Sequence, residues 1–144
     1  ELIVVVGYQE EIIKKLINKN KKIKIISNKN FKSGMASSIK EGLKHLSKKT
    51  EYFFITLGDM PNISKQIYND LIKSRNSNQI IIPTYKGQRG NPILFHKSMK
   101  AAIVNVEGDI GAKKIIKMYE KKIFTFETNN QSIIQDFNTQ EDFS

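Results

Sequence analysis

Short apolar runs alternate with stretches of helical periodicity along this chain. Residues 2–6, 23–26 and 52–57 are rich in β-branched or aromatic side chains and predict three buried strands. Apolar positions recur at intervals of three and four over residues 12–17 and 35–46, which predicts an amphipathic helix in each stretch. Strands that alternate with helices are typical of an α/β fold with a mostly parallel sheet.

The second half of the chain continues the pattern with shorter elements. Ser64 is predicted to cap a helix that carries apolar residues inward, and another helix is predicted after Gly111. An acidic first turn predicts a last helix from Thr139. Further strands are predicted over residues 80–83, 92–95, 123–126 and 132–135.

The length of 144 residues, without a repeat or a linker rich in Pro and Gly, predicts one domain over residues 1–144. The sequence starts directly before the apolar strand at Leu2 and stops just after the start of the helix predicted from Thr139. We therefore expect this domain to be truncated at both ends.

The amino-acid composition limits the classes of partner that this protein is expected to bind. The net charge is +10, but only two of the 24 basic residues are Arg, and the Lys are spread along helical patterns. They are not interleaved with aromatic side chains as in a strand-binding groove, so nucleic acid is not expected as a partner. All apolar runs are far shorter than the roughly 18 residues of a membrane helix, so no membrane partner is expected. The absence of Cys excludes disulfides and thiolate zinc sites and favours the cytoplasm.

Polar residues follow two of the predicted strands at their carboxyl ends, where ligands of open α/β sheets bind. Asp59 comes directly after the strand that ends at Leu57, and a single carboxylate so placed suits Mg²⁺. Asp136 and Asn138 would lie on the same side of a strand and could share that cation. The alternatives are that Asp59 caps the next helix and that residues 136–139 form a turn with a helix cap.

Three further loops carry candidate chemistry. Residues 34–38 open a helix with small residues and hydroxyls, and a helix N-terminus favours an anion or a sugar hydroxyl. The stretch from Arg89 to Pro92 holds one of the two Arg, and the loop around Asp109 is acidic and rich in Gly. Taken alone, residues 34–38 are also explained as an ordinary helix start in which Met35 packs, and the other two stretches are each explained as a turn.

Taken together and in order, six segments resemble the successive motifs of the MobA-like NTP transferases, and most closely the molybdenum cofactor cytidylyltransferase branch. The resemblance extends over the whole chain. The segments are VVGYQ (5–9), GMASSI (34–39), LGDMP (57–61), RGNPILF (89–95), GDIGA (108–112) and DFNTQED (136–142).

The resemblance implies a Rossmann-like nucleotidyltransferase fold, a three-layer sandwich with a mostly parallel sheet. It also implies a Mg²⁺-dependent enzyme that joins CMP, rather than GMP, from an NTP to molybdopterin and releases pyrophosphate. A molybdoenzyme or its chaperone is the implied protein partner. The implied catalytic residue is Asp59, with Asn138 or Asp136 as the second metal ligand. Nucleotide-binding positions are Gly34, Met35 and Ser38, and the side facing the second substrate holds Arg89, Gly90, Asn91, Pro92 and Asp109.

One family feature has no counterpart among these residues. The family begins with a strand and a Gly-rich phosphate loop, and we expect residues before Glu1 to supply this strand, loop and helix. Transfer activity is expected to depend on them. In the family fold the first strand lies between the strands at 2–6 and 52–57, so we expect Val4 and Phe54 to lie in unpaired, parallel strands roughly 10 Å apart.

Two alternatives to this function follow from the sequence. A sugar-phosphate nucleotidyltransferase would use the same metal chemistry on a related fold. A non-catalytic basic module that binds nucleotide or RNA would account for the charge of +10 and for the unmatched phosphate loop.

Overall fold

The computed structural model describes residues 1–17, 22–105 and 111–139, with the side chains of 111–113 left out of the description. It divides into two compact units, a first unit of Glu1–Thr50 with Lys100–Tyr119 and a second unit of Glu51–Met99 with Glu120–Ser144. The single domain over 1–144 stays a prediction. The helix predicted from Thr139 lies outside the described residues, apart from Thr139 itself.

The first unit is built on two parallel strands. Strand β1 (Leu2–Val6) pairs with β2 (Ile23–Ser27), and helix α1 (Glu10–Ile17) connects them. Helix α2 (Met35–Lys44) packs against β1 and against helices α4 (Lys100–Asn105) and α5 (Gly111–Met118). The buried apolar side chains of this unit are Val6, Ala36, Leu43, Ile103 and Ile115.

The described residues of the second unit form a mixed sheet and one α-helix. Its elements in chain order are β3 (Tyr52–Ile55), α3 (Lys65–Lys73), β4 (Ile80–Tyr85), β5 (Gln88–Arg89), β6 (Ile93–His96) and β7 (Ile123–Glu127). Strand β6 lies between β3 and β4 and runs antiparallel to both, while β7 is parallel to β4. The strands β3, β4 and β7 therefore share one direction, and β5 and β6 run the opposite way. The core of this unit contains Ile67, Leu71, Ile81, Leu94 and Ile133.

One predicted strand is wrong. Residues 132–135 do not pair in a sheet, and Gln131–Ile134 forms a 3-10 helix. The Asn130 side chain accepts a hydrogen bond from the Ser132 N–H at 3.0 Å, which favours a tight turn over an extended strand. Ile133 is fully buried in this turn. Helix α4, by contrast, was not predicted at all, because its six residues are too few to show a clear period.

Strand β1 is less buried than its apolar sequence predicts. Leu2 is 50% exposed, and only Val6 among the residues of β1 is buried. Val4 pairs with Ile25, and Phe54 pairs with Leu94 in a different sheet, which agrees with the expectation that β1 and β3 are not paired directly. The distance of roughly 10 Å between those strands stays a prediction.

Within the described ranges, no helix has both the length and the apolar content needed to cross a membrane.

Candidate active site

Asp59 of the second unit carries one of three side-chain polar atoms that are buried without a hydrogen-bond partner among the described residues, and the other two are Gln79 Oε1 and Ser132 Oγ. Asp59 lies in the turn that follows β3, and its buried atom is the carboxylate oxygen Oδ1. A buried carboxylate oxygen is costly unless a donor or a cation neutralises it. The environment of Asp59 therefore favours a ligand at this oxygen.

The segment with Asp136 and Asn138 lies directly against this turn. The Phe137 N–H donates a hydrogen bond to the main-chain oxygen of Asp59 at 2.7 Å. Asn138 Nδ2 in turn donates to Asp136 Oδ2 at 3.1 Å, so the two side chains lie on the same side of the backbone. This shared side was expected from strand alternation, although the segment is not a strand. The structure thus brings together the two segments from which metal ligands were predicted.

These residues fit a hard divalent cation. Asp59 offers an unpaired oxygen, and Asp136 and Asn138 offer further oxygen ligands from the adjoining segment. Across the described part of the chain, no cluster of three or more His, Cys, Asp or Glu side chains could hold a metal on its own. Mg²⁺ is commonly bound by one or two carboxylates and completes its shell with water and substrate phosphates, so a small donor set suits it.

The alternative role of Asp59 as a helix cap is not supported. Helix α3 takes Ser64 as its N-cap residue, with extended backbone angles, and the Ile67 N–H donates to the Ser64 main-chain oxygen at 3.1 Å. The predicted cap position is therefore confirmed, although the Ser64 side chain makes no capping hydrogen bond. Asp59 is therefore not the N-cap residue of helix α3.

The predicted nucleotide-binding segment opens helix α2 in the first unit. Gly34 is the N-cap residue and has a φ of 99°, a left-handed conformation that glycine adopts at little cost. Met35 is 52% exposed at the first helical position. The Ser38 hydroxyl accepts a hydrogen bond from Asn28 Nδ2 at 3.0 Å. The roles of Gly34, Met35 and Ser38 in binding a nucleotide stay predictions.

Asn28 is a residue of this site that the sequence analysis missed. It is only 4% exposed, and its Nδ2 donates to the hydroxyls of both Ser37, at 2.7 Å, and Ser38. Its Oδ1 accepts from the Asn30 N–H at 2.9 Å, and its own N–H donates to the Val6 main-chain oxygen at 2.7 Å. Asn28 thus holds the start of α2 against the end of β1. In the sequence it is one of several polar residues in a loop, and nothing local marks it as buried.

We expect the substitution Asn28→Ala to weaken NTP binding about tenfold, because the hydroxyls of Ser37 and Ser38 lose a shared buried donor. The NTP dissociation constant, measured by calorimetry, checks this. Asn130→Ala is a matched control, because the Asn130 side chain also accepts from the N–H two residues later but contacts neither serine in the structure. A control variant that loses nucleotide affinity to the same extent would contradict a specific role for Asn28.

The segment predicted to face the second substrate, from Arg89 to Pro92, packs closely against the backbone of the second unit. A Cβ added to Gly90 would lie 2.3 Å from the main-chain oxygen of Ile133, so the backbones approach too closely for any other residue. The Asn91 N–H donates to that same oxygen at 2.8 Å, and Pro92 is buried. The structure therefore gives Gly90, Asn91 and Pro92 a packing role, and their contact with substrate stays a prediction. Asp109 lies outside the described residues.

Arg89 already has a carboxylate partner. Its guanidinium pairs with Glu120 through two contacts, one from Nη1 to Oε2 at 3.0 Å and a second from Nη2 to Oε1. The hydrogen bonds from Arg89 lower the pKa of Glu120. A lowered carboxyl pKa means that this pair stabilises the folded state at neutral pH and loses its contribution as the pH falls through that pKa. The pairing with Glu120 occupies two of the five N–H donors of Arg89.

Comparison with known proteins gives one family and a consistent fold. Residues 1–123 match the sequence profile of the MobA-like NTP transferase domain. The molybdenum cofactor cytidylyltransferase of Escherichia coli K12 is 28% identical over 142 residues, which cover 99% of this chain and 71% of that protein.

Solved structures agree on the fold. Rv0371c of Mycobacterium tuberculosis aligns with a TM-score of 0.85 at 16% identity, over 99% of this chain and 72% of its own. Its complex with manganese aligns with a TM-score of 0.81 at 15% identity, over 99% and 75%. The 4-diphosphocytidyl-2C-methyl-D-erythritol synthase of Anaerococcus prevotii aligns with a TM-score of 0.79 at 20% identity, over 99% and 74%. The predicted Rossmann-like nucleotidyltransferase fold is confirmed.

Proposed function

Because the chain belongs to the MobA-like NTP transferase family and is a nucleotidyltransferase, we propose that it transfers CMP from CTP to the terminal phosphate of molybdopterin. The observation that carries the proposal is the buried, unpaired Oδ1 of Asp59, held beside the segment that contains Asp136 and Asn138. The sequence similarity to a cytidylyltransferase supports the choice of acceptor and base.

In the reaction, an oxygen of the acceptor phosphate forms a bond to the α-phosphorus of CTP. The bond from the α-phosphorus to the bridging oxygen of the β-phosphate breaks, and pyrophosphate leaves with the electron pair. The two phosphates repel one another until positive charge and aligned donors neutralise them. A bound Mg²⁺ supplies that charge.

The protein's own residues bind and orient the substrates and the cation. Asp59 is the principal metal ligand and catalytic residue, and Asp136 or Asn138 is the second polar ligand. The start of α2, at Gly34, Met35 and Ser38, binds the nucleotide, with Asn28 holding the Ser38 hydroxyl in place. The residues from Arg89 to Pro92, with Asp109, face the second substrate. No residue has to form a covalent intermediate, because transfer between two phosphates depends on position and charge.

The proposal also covers the cellular location of the reaction and the recipient of its product. We infer a cytoplasmic enzyme, since molybdopterin and CTP are its proposed substrates and the chain has no Cys. A molybdoenzyme, or a chaperone that delivers the cofactor to one, is the proposed recipient of the product.

Pyrophosphate release by the purified protein tests this function. We expect release that requires both CTP and molybdopterin, stops with EDTA and returns with excess Mg²⁺. Equal rates with all four NTPs would contradict the choice of base while leaving the family reaction intact. Release with a sugar phosphate in place of molybdopterin, and none with molybdopterin, would favour the sugar-phosphate alternative.

A further inference from the structure

An open pocket of about 720 Å³ lies in the first unit, between the turn after β2 and helix α2. The sequence analysis assigned no role to its three lysines, and the proposed reaction does not use them. Its polar lining consists of Lys29, Lys32, Lys40, Asn30, Ser33 and Ser37.

Three of these side chains are cationic and none is acidic. In the described structure, Lys29, Lys32 and Lys40 have no carboxylate within ion-pair distance. The hydrogen bond from Lys14 is the main cause that lowers the pKa of Glu10, and Lys29 adds the weakest of the Coulombic effects. Like charges gathered around one concavity repel each other, and an anion placed among them relieves this repulsion.

The walls of the pocket are fixed by hydrogen bonds. The Ser33 hydroxyl donates to the main-chain oxygen of Asn30 at 2.7 Å, and the single proton of the Ser37 hydroxyl lies between that oxygen, at 3.0 Å, and the main-chain oxygen of Gly34, at 2.8 Å. The Asn30 N–H in turn donates to the side chain of buried Asn28 at 2.9 Å. These hydrogen bonds hold the loop at Asn30 against the first turn of helix α2. An anion would therefore have to order the lysine side chains and not the backbone, which lowers the entropic cost of binding.

Ala36 and Ser37 line the pocket and belong to the helix start at residues 34–38, but Met35 and Ser38 lie on another side of α2. At about 100° per residue, Ala36, Ser37 and Lys40 project from one side of α2. Met35 and Ser38 project roughly 150° away from the middle of that side. A ligand bound among the lysines would thus occupy the opposite flank of the helix.

We propose that this lysine pocket, defined by Lys29, Lys32 and Lys40, is a second binding site for an anion with two or more linked phosphates. Lys binds phosphate as a flexible point charge, so three of them can surround an extended polyanion. Three cationic groups match the charge of a diphosphate better than that of a monophosphate. Inorganic pyrophosphate is the simplest member of this class.

Calorimetric titration with inorganic pyrophosphate, in EDTA to remove metal-dependent binding at Asp59, tests the proposal. We expect the triple variant Lys29→Gln, Lys32→Gln, Lys40→Gln to bind at least about tenfold more weakly than the wild type, a loss of roughly 1.4 kcal/mol. Orthophosphate is expected to bind the wild type at least about tenfold more weakly than pyrophosphate.

A second triple variant controls for net charge. Lys15→Gln, Lys48→Gln, Lys49→Gln removes the same number of exposed cations from the first unit outside the pocket, and we expect less than about a twofold change. Equal losses in the two triple variants, or no measurable binding by the wild type, would overturn the proposal. The single substitution Lys32→Glu, which reverses one charge, should also weaken binding, and undiminished binding by it would overturn the proposal as well.

This inference can fail or succeed independently of the proposed reaction. Asp59→Asn should still bind pyrophosphate in EDTA, because Asp59 is not among the residues that line the pocket. A protein that binds pyrophosphate through its lysine pocket but transfers no nucleotide would contradict the proposed function alone.

Discussion

Asp59→Asn is expected to reduce kcat for nucleotidyl transfer at least about a hundredfold, because it removes the charge that holds a metal at the reacting phosphates. The fold should be retained, since Asn is isosteric and the main-chain oxygen of Asp59 still accepts from the Phe137 N–H. Steady-state kinetics of pyrophosphate release measure the loss. Titration with Mn²⁺, followed by electron paramagnetic resonance, measures the metal affinity directly and should show weaker binding.

Asp70→Asn is the matched control for this prediction. Asp70 lies on α3 in the same unit, and its carboxylate accepts from Gln66 Nε2 at 2.7 Å at the surface. The same chemical change there should leave turnover and metal affinity within about twofold of the wild type. An Asp59→Asn enzyme as active as the wild type would show that the buried oxygen has another purpose.

Gly90→Ala is expected to lower the free energy of unfolding by about 3 kcal/mol. The new Cβ would meet the oxygen, the carbonyl carbon and the Cβ of Ile133 at 2.3, 2.8 and 2.9 Å. Most of these atoms belong to the backbone, so the 3-10 helix at Gln131–Ile134 would have to shift, and it carries a fully buried side chain. Urea denaturation, with the midpoint and slope compared between variants, checks the value.

Two other glycines separate steric overlap from backbone strain. At Gly58 an added Cβ would have no atom within 4 Å, so Gly58→Ala should change stability by less than about 1 kcal/mol. Gly87 also has open space but a φ of 78°, so Gly87→Ala should cost about 1 kcal/mol through strain alone. If Gly90→Ala were as mild as Gly58→Ala, the close approach to Ile133 would not be rigid.

Local patterns in the sequence were sufficient to predict most of the helices and strands. The apolar period that predicts a helix from residue 35 corresponds to α2, which begins at Met35 and ends two residues earlier than predicted, at Lys44. The apolar run at 123–126 corresponds to β7, and Ser64 is the N-cap of α3 as expected. These features are encoded locally, because period and capping depend on residues within one or two turns of each other.

The same patterns failed where the apolar signal was short. Ile133 and Ile134 suggested a strand, because two adjacent apolar residues cannot distinguish an extended segment from a tight turn. The hydrogen bond to the Asn130 side chain and the packing of Ile133 against the backbone of Gly90 favour the tight turn over an extended strand. The motif from Arg89 to Pro92 could be recognised in the sequence, but its packing role and the pairing of Arg89 with Glu120 could not.

The sequence by itself determined the alternation of strands and helices, the family resemblance and the candidate residues at Asp59 and at Asp136 and Asn138. Only the tertiary structure decided that the Phe137 N–H meets the Asp59 oxygen, that Asp59 Oδ1 is buried without a partner, and that Asn28 joins two serines below the start of α2. The physical reason is that hydrophobic periodicity records which face of an element is buried, but not which distant element covers it. Contacts between segments far apart in the chain arise when the elements pack, and burial of a single polar atom is a property of that packing alone.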